Sequence, residues 1–152
     1  MTRRETMLHR ASFAIAMVGL ATSGFLAWEY ARGGSITCPV AGSGCDEVRQ
    51  SPFSAVLGIP VPWLGIAYYS SFAVVEAVRQ EFGAHQRMIG RLIVCLAMIG
   101  VLASAWFTYL EAFVIGAWCF WCVVSAGCAV SLLLATGVLE AMQTRSGVGH
   151  EA

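Results

Sequence analysis

Four long apolar runs, at about 11–30, 63–78, 92–113 and 119–139, constrain this chain more than anything else in it. Each is close to the ~20 residues that a helix needs to cross a hydrocarbon core about 30 Å thick. A backbone in lipid must satisfy its own N–H and C=O groups, so the runs read as helices. Composition agrees. Of 152 residues, 58% are hydrophobic and 12% charged, against about 25% charged in soluble domains. The expected fold class is an all-α integral membrane protein: a four-transmembrane-helix bundle with an outer loop carrying a short half-helix, with 1–152 as a single membrane domain. A formal net charge of zero leaves no electrostatic footprint for a nucleic acid.

The connecting segments set the orientation. Arg3, Arg4, His9 and Arg10 precede the first run against a lone Glu5, which predicts a cytoplasmic N-terminus. A cleaved signal peptide opens similarly, but the run's length favours a retained span. The segment 79–91 carries Arg79, His85, Arg87 and Arg91 against Glu81 and returns the chain to the cytoplasm, as Arg145 does for the tail. The segment 32–58 is punctuated by Gly33-Gly34, Cys38-Pro39 and Gly42-Ser43-Gly44, followed by Asp46 and Glu47, and reads as an outer loop. Within it, 51–57 has the marks of a short helix lying as a lid, with Ser51 as N-cap, Pro52 at the first helical position and Gly58 as the stop. This topology places Cys38, Cys45, Cys119 and Cys122 on one outer face.

Cys119-Phe120-Trp121-Cys122 opens the fourth run. Two thiols three residues apart share a helix face, and a helix N-terminus lowers a nearby thiol pKa. Such a pair cycles between dithiol and disulfide, or forms a structural disulfide, or supplies half of a zinc site; the spacing alone leaves these open. High cysteine usage outside the spans suits an oxidising, non-cytosolic face. Two pairs, one on a loop and one on a helix end, can exchange by thiolate attack on a disulfide sulfur. Phe53, Trp63, Phe107, Phe120 and Trp121 are candidates for the walls of an apolar pocket, or else belt and packing residues.

The combination of Cys38, Cys45-Asp46-Glu47-Val48-x-x-Ser51, Gly58-Ile59-Pro60-Val61 and a late Cys119-x-x-Cys122 resembles the vitamin K epoxide reductase family, its bacterial members most closely. The resemblance covers about 36–125. It implies a four-helix bundle around a quinone, menaquinone or ubiquinone, in a bacterial inner (plasma) membrane. It implies an enzyme, a thiol–quinone oxidoreductase that reoxidises a thioredoxin-fold, DsbA-like partner and so supports disulfide-bond formation. By the same resemblance Cys38 exchanges with the partner, Cys45 relays to Cys119, and Cys122 faces the quinone. Ser51 matches a serine over the quinone ring, with Phe53, Trp63 and Phe107 as further pocket candidates. Two departures stand out. Many bacterial members carry a fused thioredoxin-like domain, so an end at Ala152 predicts a separate partner. The vertebrate enzymes have a tyrosine four residues after the last motif cysteine; Ala126 stands there, which bears against the epoxide reaction.

Other readings remain: a vitamin K epoxide or quinone reductase in the narrower sense, a DsbB-type oxidase, a four-cysteine zinc site, or a scaffold held by two disulfides. The DsbB type has its Cys-x-x-Cys in the first outer loop, the reverse of this order. The Cys38–Cys45 gap exceeds the two-to-four residues usual between zinc thiolates. Glu111 lies within the third run, where an ionisable group is a functional candidate unless it snorkels outward. Asp46 is expected to be solvated in its loop. Cys95 and Cys128, inside spans, are expected to be small buried hydrophobes. His9, His85 and His150 sit on the cytoplasmic side, away from the outer cysteines.

Overall fold

The structure is a computed structural model and describes residues 3–36, 38–39, 44–79 and 86–148. Helix α1 spans Arg3–Arg32, α2 Gly44–Gln50, α3 Val61–Val78, α4 Gln86–Tyr109 and α5 Phe120–Val148. Among the described residues four helices are long and apolar enough to cross a membrane: Arg3–Arg32, Val61–Val78, Met88–Ile115 and Phe120–Thr144. This is a multi-pass membrane bundle. α1 packs on α3 and α5, and α5 packs on α4. Large apolar side chains such as Met17, Val74, Leu102 and Trp106 face outward, which suits a bilayer, whose hydrocarbon is the solvent for such groups.

The helices run past the apolar runs. α1 begins eight residues before 11, α4 begins at Gln86, and α5 continues to Val148. Hydropathy marks where a helix lies in hydrocarbon, not where its hydrogen-bond ladder ends. The core at mid-bundle is Ala16, Tyr69, Phe72, Ile93, Ala97, Cys128 and Leu132. Cys128 therefore packs inside, whereas Cys95 is exposed on the outer side of α4, contrary to expectation.

The end of the bundle opposite α2 is clasped by buried polar groups. His9 Nδ1 lies 2.5 Å from Glu76 Oε1, joining α1 to α3. Arg79, at the end of α3, is fully buried and donates from Nη2 to Glu140 Oε1 (2.6 Å) and Gln143 Oε1 (2.9 Å) on α5. Arg79 is thus a tertiary strut and not a solvated loop charge. His85 and His150 lie outside the described residues.

The outer loop is more structured than its Gly-rich sequence predicts. Residues 44–50 form α2, with Asp46 and Glu47 in the first turn and Arg49 in the last, each at the favourable end of the helix dipole. The helix expected over 51–57 is only a 3₁₀ turn, Pro52–Ser54, followed by a two-residue hairpin pairing Ala55 with Pro60 and Val56 with Ile59. Leu57 and Gly58 form its turn, both at positive φ (53° and 82°). Ser51 makes no side-chain cap. Its hydroxyl instead donates to the Val48 carbonyl (2.7 Å), stitching the 3₁₀ turn to α2.

Candidate functional site

The two thiol pairs meet at one end of the bundle, the end that carries α2. Cys38 and Cys45 are joined as a disulfide, with Cα atoms 6.3 Å apart. Cys119 and Cys122 are free. Cys45 (1% exposed) and Cys119 (3%) belong to one buried cluster with Leu26 and Ile36, and Cys38, Cys122, Tyr30 and Val48 pack against it. Cys119 is therefore buried and not presented to solvent. It is covered by α2, and Cys38 is the half-buried sulfur at the surface.

Three contacts seat α2 there. Asp46 Oδ1 accepts the Ile36 N–H (2.8 Å), so this carboxylate is a clip and not simply solvated. Arg49 donates to the Gly34 carbonyl, and its guanidinium lies 5.6 Å from the centre of the Tyr30 ring. Gly44 provides the closest approach. A Cβ there would collide with the Trp118 carbonyl oxygen and lie 3.2 Å and 3.3 Å from the Trp118 C and N atoms. Only a residue without a side chain lets α2 lie on the strand that leads into Cys119.

The inner pair is positioned by the α4–α5 connection. α4 widens into a π turn over Leu110–Ile115 and ends at Gly116 in the left-handed region (φ 72°, ψ 18°), where a Cβ would be strained. The Ala117 N–H returns to the Glu111 carbonyl (3.1 Å). The chain then passes through Trp118 to Cys119, whose carbonyl accepts the Val123 N–H (3.1 Å) as the first bond of α5. Cys122 falls in the first turn. The Cys122 thiol donates to Cys119, and this bond is the main influence holding the Cys119 pKa below the ordinary thiol value, against the opposing effect of burial.

Glu111 is 3% exposed and does not snorkel outward. Its Oε2 accepts the Cys119 N–H (3.1 Å), and its carboxyl lies in hydrogen-bonding reach of the Cys122 thiol, so that it and Cys119 share the single S–H of that thiol.

Beside these sulfurs lies a cavity of about 320 Å³, at the small end of the ~300–1,000 Å³ usual for ligand sites. Cys45, Cys119, Cys122 and Glu111 form one wall, and Phe107, Ile99 and Gly100 of α4 another. Ser51 and Phe53 cover it from the loop. Trp63 is not among the lining residues and is 52% exposed. Phe120 and Trp121 also lie outside the lining; their rings meet edge to face with centres 5.3 Å apart, and the Trp121 ring centre lies 4.8 Å from that of Phe25 on α1. Ser51 lines the cavity, but its donor is committed to Val48, which leaves its hydroxyl oxygen as an acceptor only.

Two tyrosines of α3 were not singled out in the sequence, although paired phenols inside an apolar run are a signal. The Tyr69 hydroxyl donates to the Ser125 carbonyl (2.7 Å). The Tyr68 hydroxyl is buried without a partner, and both residues line the cavity. Among the described residues no three His, Cys, Asp or Glu side chains converge as metal ligands.

Residues 10–136 match the sequence profile of the Vitamin K epoxide reductase family. The chain is also 31% identical over 116 residues to "Thiol-disulfide oxidoreductase LTO1" of Arabidopsis thaliana, a match covering 71% of this chain and 30% of that protein. The chain thus spans about a third of the curated relative's length. A profile match across most of the chain, together with paired thiols at the mouth of a four-helix membrane bundle, places it: this protein belongs to the vitamin K epoxide reductase family.

Proposed function

We propose that this thiol oxidoreductase carries electrons from a dithiol protein outside the membrane to a quinone within it, and thereby generates disulfides. The burial of Cys45 and Cys119 in one cluster, on the wall of an apolar cavity that Cys122 also lines, carries the reading. A thiolate of a thioredoxin-fold, DsbA-like partner attacks Cys38, the accessible sulfur, and releases Cys45 as thiolate. The partner's second thiol closes the partner's disulfide. The Cys45 thiolate then attacks Cys119 and releases Cys122, and Cys38 restores the loop disulfide. A bonded loop pair beside a free inner pair, the state described above, is the protein with two electrons held on Cys119 and Cys122.

The cavity suits a quinone ring: apolar walls, a serine oxygen, an unpaired phenol and two thiols. When bound, the quinone supplies the two-electron oxidation. Phe107 and Phe53, which line the cavity, would hold the ring, and the start of α5 keeps Cys122 at the cavity wall. The basic bias of the N-terminal segment supports termini in the cytoplasm and thiols on the outer face of a bacterial plasma membrane.

The test is anaerobic turnover of purified protein with a reduced thioredoxin-fold partner and short-chain ubiquinone or menaquinone, followed by absorbance. Cys119→Ala and Cys122→Ala should each abolish quinone reduction. Cys38→Ala should abolish it with the protein partner while retaining some with a small dithiol. Equal loss of both donors in Cys38→Ala would overturn the relay order.

A further inference from the structure

Oxidation of the inner pair releases protons as well as electrons. The S–H bonds of Cys119 and Cys122 break, the S–S bond between them forms, and two electrons and two protons leave. A quinone takes up the same two electrons and two protons in becoming hydroquinone. The proton on Cys122 leaves on the cavity side, where the lining is largely apolar and Glu111 is the one carboxyl among the lining residues, while the Cys119 proton and the second proton of the hydroquinone exchange with solution. We propose that Glu111 is the proton carrier: its carboxylate takes the Cys122 proton and gives it up at the cavity to the quinone oxygen. This rests on the quinone reduction proposed above.

The geometry has three parts. The carboxyl contacts the reacting thiol itself, by a hydrogen bond to Cys122. It is held in place by a second bond, from the Cys119 N–H to Oε2 (3.1 Å), so one side chain spans both members of the pair. Finally, Glu111 lines the cavity, so the group that faces the thiol also faces the place where the proton is consumed. A purely structural clamp between α4 and α5 needs only the backbone bond; contact with the sulfur adds nothing to it.

The surroundings keep the carboxyl available for this work. Its titratable neighbours are Cys119 and Cys122 from the α5 end and Tyr30 from α1. Arg49, on α2, is engaged by the Gly34 carbonyl and the Tyr30 ring. Among the described residues Glu111 has no ion-pair partner, so no fixed cation pins it in the charged form. The π turn explains its place: it carries residue 111 round so that its own carbonyl caps the chain at Ala117 while its side chain reaches residue 119.

The experiment uses the full chain, reduced beforehand, mixed anaerobically with a short-chain ubiquinone and followed by absorbance from pH 6 to 9. Glu111→Gln retains an oxygen for the Cys119 N–H but cannot carry a proton. Its quinone-reduction rate should fall about 100-fold near neutral pH, the scale of a lost general base. The deficit should narrow as pH rises and solution base takes over. Reduction of its inner pair by the dithiol partner, measured without quinone, should fall much less than quinone reduction, since the exchange step itself proceeds by thiolate attack and releases Cys122 as a thiolate. Glu111→Asp should recover part of the rate. Wild-type quinone reduction by Glu111→Gln at every pH would overturn the proposal, as would equal loss of both steps. Failure of the wild-type protein itself to reduce the quinone would sink the parent reading and this one with it.

Discussion

Replacing Gly44 with alanine tests whether the seating of α2 governs transfer between the two thiol pairs. The new methyl group meets the backbone of one residue: the Trp118 carbonyl oxygen, with C and N of the same residue at 3.2 Å and 3.3 Å. No flexible side chain is available to yield. Recovering a van der Waals separation of about 3.5 Å requires α2 to retreat by roughly 1 Å. Resisting that retreat costs about 1–3 kcal/mol, the usual cost of overpacking. The bundle does not depend on α2, so the strain is relieved by lifting the helix, and Cys45 moves with it away from Cys119. A misplacement of about 1 Å slows a positioned reaction by up to ~100-fold. Partner-driven turnover should therefore fall by about 10- to 100-fold, while quinone reduction by the pre-reduced inner pair, which bypasses the loop, stays at the wild-type rate. Intrinsic propensity works the other way, since alanine favours a helix over glycine by up to about 1 kcal/mol. A loss cannot then be assigned to a weakened α2. Partner-driven turnover at the wild-type rate in a folded Gly44→Ala protein would refute the reasoning.

Three further outcomes follow from contacts described above. In the reduced protein, Cys122→Ala removes the hydrogen bond that lowers the Cys119 pKa, so the pH midpoint for alkylation of Cys119 should move upward; an unchanged midpoint would remove Cys122 as the cause. Tyr68→Phe deletes a buried hydroxyl with no partner, a group that costs about 1–3 kcal/mol when unsatisfied, so the thermal midpoint of the ligand-free protein in detergent should rise, and a clear fall would show that the hydroxyl is paired. Glu76→Ala breaks the pair with His9 at the end of the bundle remote from the thiols and leaves a buried polar group without its partner, so the loss should be about 1–3 kcal/mol in stability, with single-turnover quinone reduction unchanged because the site lies at the other end.

The bundle was legible because a hydrocarbon solvent admits few answers. Apolar runs of about 20 residues have to be helices in hydrocarbon. The thiol pairs were legible as pairs for the same reason, since two outer segments of a four-span chain must share a face. What escaped was everything that depends on contacts between distant residues. α2 was hidden because Gly44-Cys45-Asp46-Glu47 reads as loop until Asp46 and Arg49 are seen holding 34–36. The burial of Cys119 follows from that docking and has no local signature. Arg79 reads as a loop charge in the sequence because its partners, Glu140 and Gln143, lie more than 60 residues away. Trp63 was a candidate by residue type, but it points away from the cavity into the surroundings, as an interfacial aromatic does.

The wide turn at Leu110–Ile115 makes chain length itself a component of the redox centre. An α-helix advances about 100° per residue, so a single deletion there would tighten the turn and swing the acid a quarter-circle or more around its axis, stranding it from both sulfurs while every side chain of the centre remained present. The spacing between the acid and the first thiol of the fourth span is therefore a ruler, and any chain that altered it by one would need another group to move its protons.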